Sequence, residues 1–150
     1  MFKNIFKKEV RNVNVVIGYP PNYEEIKKHF DLKKDTIFTY GETIYNPDNG
    51  KIDLPLMMHE LVHVRQQHQY GVEKWWSRYL RDMDFRLSQE VEAYQVQYKE
   101  GKRVIKDRNQ QARFLSVLAS ALSGKMYGDI ISYSEALKAI REERIYKFAV

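Results

Sequence analysis

Met58-His59-Glu60-Leu61-Val62-His63-Val64-Arg65-Gln66-Gln67 is the stretch around which the rest of the chain is organised. It contains H-E-x-x-H. On a helix of about 3.6 residues per turn, His59 and His63 lie one turn apart and project from one face. Two neutral imidazoles so placed close on a single zinc ion, with Zn–N bonds of about 2.0–2.1 Å. Glu60 lies roughly 100° around the helix, where its carboxylate acts as general base toward a metal-activated water. The helix is predicted from Leu54 to Tyr70, with Asp53 as N-cap, Pro55 tolerated in the first turn and Gly71 ending it. Leu56, Met57, Met58, Leu61, Val62 and Val64 surround nearly all its faces, which predicts a buried helix. Burying His59, Glu60 and His63 without partners is costly, and a bound cation removes that cost.

A catalytic zinc site needs three protein ligands and an open position. With no cysteine in the chain, thiolate sites and disulfides are excluded, so the third ligand must be His or a carboxylate. His68 faces away from His59 and His63, and His29 sits in a charged amphipathic segment. Asp53 reads as a helix cap, and Asp82 and Asp84 read as loop or surface charges. The better candidates lie in Gln89-Glu90-Val91-Glu92-Ala93-Tyr94, on the second helix after the motif. Glu90 shares its face with Ala93, Tyr94 and Gln97, where the small Ala93 permits close helix approach. Glu92 shares its face with Gln89, Gln95, Val96 and Lys99, a face that reads as solvated. Glu90 is therefore preferred to Glu92. Gln66 and Gln67 are candidates for orienting the ligands from behind, or else exposed helix positions.

Working outward, Val13 to Tyr19 reads as a strand ending at Pro20-Pro21. A short helix from Tyr23 to Phe30 follows, with Asn22 placed to cap it. Thr36 to Tyr40 and Thr43 to Tyr45 are strand candidates, and Asn46 to Gly50 is a turn. The first third is thus expected to be a small antiparallel sheet with one helix. Beyond the motif the chain reads as helical: Val72 to Arg81, Gln89 to Glu100 stopped by Gly101, Lys106 to Ser123, and a last helix to about Phe148 opened by Ser132 and Glu135. The sum is one α+β domain, 1–150.

The net charge of +5 and pI near 9.3 are spread along the chain with no nucleic-acid motif, so a solvated surface is expected and no nucleic-acid partner. Met1 to Lys8 is basic but lacks the apolar core of a signal peptide, and no run approaches a membrane span. A soluble protein in the cytoplasm, or one exported by other means, is the default, and the absence of cysteine fits a reducing compartment.

His59, Glu60 and His63 followed by Glu90-x-x-Ala93 resemble the gluzincin pattern of the zincin metallopeptidases. More locally, Phe38-Thr39-Tyr40-Gly41-Glu42-Thr43-Ile44 and then His59 to Gln67 are similar to a metallopeptidase domain of bacterial extracellular contractile injection systems and toxins, and to small H-E-x-x-H proteins of phages. This local likeness covers about a fifth of the chain, from Thr36 to Gln67. It implies a zincin-like fold, with an edge strand above a cleft, zinc on His59, His63 and Glu90, and Glu60 as general base in peptide hydrolysis. An oxyanion-stabilising phenol is expected from Tyr94, with Tyr79 second. The expected partner is a peptide or protein substrate. The competing reading is a non-catalytic module of the same fold, associated with a virion or injection particle, which presents Trp75, Trp76 and Tyr79 to an assembly partner; core packing is the preferred role for these rings.

Overall fold

The structure, a computed structural model, describes residues 13–146. Its elements in order are β1 (Asn14–Val16), α1 (Tyr23–His29), β2 (Phe38–Tyr40), β3 (Thr43–Tyr45), α2 (Leu54–Tyr70), α3 (Val72–Arg81), α4 (Met83–Val104), α5 (Arg108–Leu122), a 3-10 turn (Lys125–Tyr127) and α6 (Tyr133–Arg141). The class is α+β, mostly helical. The basic N-terminal segment and the expected end of the last helix at Phe148 lie outside the described residues.

The sheet departs from the antiparallel arrangement expected. Its order is β1-β3-β2, with β2 and β3 antiparallel and β1 parallel to β3. The reason is topological. Gly41-Glu42 is a tight turn, with Gly41 at φ 64, so β2 and β3 form a hairpin. The connection through α1 lets β1 reach the far side of β3, where Val15 registers with Ile44. Asn22 occupies the position before α1 but makes no side-chain capping bond.

α2 has the predicted ends. The Asp53 carboxylate accepts from the Leu56 N–H at 2.9 Å, and Gly71, at φ 87, donates its N–H to the Gln67 carbonyl. The following helices differ more. α4 begins well before Gln89, because Asp82 is a cap that accepts from the Phe85 N–H at 3.1 Å, not a loose surface charge. It also runs through Gly101. A Cβ there would stand 2.1 Å from a ring carbon of Phe114, so this glycine lets α5 approach α4 and does not end the helix. Ser132 caps α6 as expected, but α6 ends at Arg141.

α2 and α4 pack antiparallel, since His59 meets Gln97 while Gln66 meets Gln89. Ala93 is fully buried in the seam between them. Trp75, Trp76 and Tyr79 lie in a core with Ile26, Phe38 and Phe85. They are buried and so do not form the exposed docking cluster weighed above. Fully burying a side chain such as Phe85 contributes roughly 1.5–3 kcal/mol. Among the described residues, no helix is long and apolar enough to cross a membrane.

Candidate metal centre

α2 carries His59 and His63 one turn apart, and α4 brings Glu90 across to meet them. All three are buried, and their donor atoms lie within 4.8 Å of one another. His59 Nε2 and His63 Nε2 are 3.2 Å apart, His63 Nε2 is 3.0 Å from Glu90 Oε1, and His59 Nε2 is 3.6 Å from Glu90 Oε2. A tetrahedral ion with bonds of about 2.0–2.1 Å places its donors about 3.3–3.4 Å apart, so the triangle has the size of a metal site. Glu90 Oε2 is buried with no hydrogen-bond partner. A buried carboxylate oxygen in that condition is costly, and a cation between the imidazoles would satisfy it.

Each imidazole is held by an amide oxygen. His59 Nδ1 lies 2.9 Å from Gln97 Oε1, and His63 Nδ1 lies 2.9 Å from Gln66 Oε1. An amide oxygen only accepts, so both Nδ1 atoms carry hydrogen and both Nε2 atoms are turned toward the site, where each can ligate a metal once unprotonated. Gln66 is fixed in turn by donating to the Gln89 carbonyl and to Glu92. Glu92 also pairs with Arg65. It therefore stands behind Gln66, outside the ligand triangle.

Burial pushes His59 down to about 4, against the pull of the Glu90 charge. His63 also loses hydration, but the charge of Glu90 and its hydrogen bond outweigh this and raise it to about 9. Burial pushes Glu90 up, yet the His63 charge and hydrogen bond, with His59, hold it below the ordinary carboxylate range. Counting protein groups alone, the triad thus holds one proton, on His63. Burial raises Glu60 to about 7, partly opposed by His63 and by Thr39.

Thr39 was missed at the level of sequence. Its Oγ1 donates to Glu60 Oε2 at 2.7 Å, which ties β2 to the general-base candidate. Its place in the hairpin motif was the signal available. The tyrosines divide differently than expected. Tyr79, the second choice, donates to Glu90 Oε1 at 3.2 Å. Tyr94 sets its ring edge-on to His59, centroids 4.5 Å apart, and its hydroxyl is 2.8 Å from that of Tyr127. Tyr127 was also missed; it comes from the turn after α5, and no local pattern links it to the motif.

A pocket of about 530 Å³, part of it open to solvent, reaches these groups. His59, Glu60, His63, Glu90, Tyr79 and Tyr127 line it, and Tyr94 does not. His29 and His68 are exposed and stand outside the triad. No protein-family model, curated protein or solved structure matches this chain.

Proposed function

We propose that the protein is a zinc-dependent peptidase of zincin-like fold, with His59, His63 and Glu90 as ligands and Glu60 as general base. The observation that carries this reading is the buried Glu90 carboxylate between two imidazoles, its unpartnered Oε2 3.6 Å from His59 Nε2 and its Oε1 3.0 Å from His63 Nε2. The all-nitrogen-and-oxygen donor set suits zinc. A bound zinc ion would supply an acidified water and a polarised carbonyl.

The chain's own groups do the rest. Glu60, held on one oxygen by Thr39, takes the water's proton as the water oxygen bonds to the carbonyl carbon. When the C–N bond breaks, Glu60 passes that proton to the departing amine. Tyr127, which lines the pocket, would donate to the carbonyl oxygen, with Tyr94, whose hydroxyl is 2.8 Å from its own, orienting it. Gln66 and Gln97 keep the ligand imidazoles in one tautomer.

Elemental analysis after dialysis tests the first step. About one equivalent of zinc is expected, and under a tenth of an equivalent would end the metal reading. Glu60→Gln tests the second, with a loss of cleavage of at least about a hundredfold and zinc content unchanged. Wild-type protein that holds zinc but cleaves nothing in a broad peptide library would favour the non-catalytic assembly reading.

A further inference from the structure

The stripe His59, His63 continues one turn further to Gln67, which is fully buried. Gln67 Nε2 donates to the Thr39 carbonyl at 2.8 Å, and Gln67 Oε1 accepts from the Gly41 N–H at 2.7 Å. That pair of groups, flanking Tyr40, is the pair a residue of an adjoining parallel strand would engage. The glutamine amide therefore stands in for a neighbouring strand. Trp76 adds a second donor to the same Thr39 carbonyl, at 3.2 Å. β2 is a sheet edge, yet the Thr39 carbonyl and, just past the strand, the Gly41 N–H are already engaged, by Gln67 of α2 and Trp76 of α3.

The pocket shows the same closure. Its wall follows the chain through Thr36, Ile37, Phe38 and Thr39 but includes neither Tyr40, Gly41 nor Gln67. Its lining includes the apolar side chains of Ile26, Phe30, Leu32 and Met126. From these observations we infer that the cleft takes its substrate end-on. Its ligand is a chain end, or a short amide, with a bulky apolar side chain beside the scissile bond. The middle of a polypeptide, which would have to continue past Gln67, does not fit. This rests on the metal-site reading above, and it limits what that site cleaves.

The test uses zinc-loaded protein and three phosphinic acids that share one metal-binding group, followed by calorimetry. The first is methylphosphinic acid, the second carries a single phenylethyl arm, and the third is a phosphinic peptide with that arm on one side and two residues on the other. The one-armed acid should bind at least about tenfold more tightly than methylphosphinic acid and than the two-sided peptide. Gln67→Ala should raise affinity for the two-sided peptide by at least about tenfold and leave the one-armed acid unchanged. A two-sided peptide that binds the wild type as tightly as the one-armed acid overturns the inference, and this comparison decides alone if Gln67→Ala does not fold. Zinc content measured on the same samples separates a failed inference from a failed metal site.

Discussion

Glu90 shows how much a single side chain decides here. Placed between two imidazoles, it holds His63 protonated and depends on that charge for its own ionisation. A cation entering the triangle must displace the His63 proton. Affinity for zinc should therefore climb with pH by about tenfold per unit and level off above the His63 value of about 9. The sign follows from the direction of the shift, since a raised imidazole binds its proton in competition with metal. Near about pH 8 His63 still holds its proton and Glu60 has largely lost its own, so uptake should release close to one proton. Calorimetry in buffers of different ionisation heat reads this directly, and uptake without release would contradict the assignment. The amide supports act at the same scale. Gln97→Leu removes the acceptor of His59 and should weaken zinc binding by about 10–100-fold without unfolding the protein, as measured by competition with a chromogenic chelator.

At the scale of elements, the site depends on how closely α4 lies against α2 and α5. Ala93 is fully buried in the first seam, and Gly101 is pressed against Phe114 in the second. Ala93→Leu should cost about 1–3 kcal/mol by overpacking and should also weaken zinc binding, because it pushes Glu90 away from the imidazoles. Gly101→Ala should cost a similar amount, about 1–3 kcal/mol, yet leave zinc affinity nearly unchanged, because its seam faces α5. Urea melts paired with zinc titrations separate the two. Equal loss of affinity in both variants would mean that the helices move as one body.

For the whole molecule, α2 is shared. Its apolar residues pack with β3 and α4, and its polar face meets β2, α3 and α4. A metal bound to α2 and α4 together therefore stabilises the native state against the unfolded chain. At a free zinc concentration about a thousand times the dissociation constant, the gain is about 4 kcal/mol. For a domain of this size that corresponds to a rise of roughly 10 °C in Tm. Differential scanning calorimetry with and without chelator measures it, and a shift of under about 2 °C at that zinc excess would place the ion outside the fold.

Local rules were enough for much of this. The spacing of His59 and His63 dictates their shared face, Asp53 and Gly71 dictate the ends of their helix, and the small Ala93 beside Glu90 marks the face that approaches it. These are effects within a few residues, where helical geometry and capping dominate. What the chain alone left open involves partners distant in sequence. β1 pairs parallel to β3 because of the path taken through α1. Gly101 is a packing contact because Phe114 arrives from the next helix. Thr39, Tyr127 and the bridging role of Gln67 exist only once β2, the turn after α5 and α2 are packed together. Residue type and spacing determined which groups can bind a metal; the packing of helices and strands decided what orients those groups, and which end of the cleft is closed.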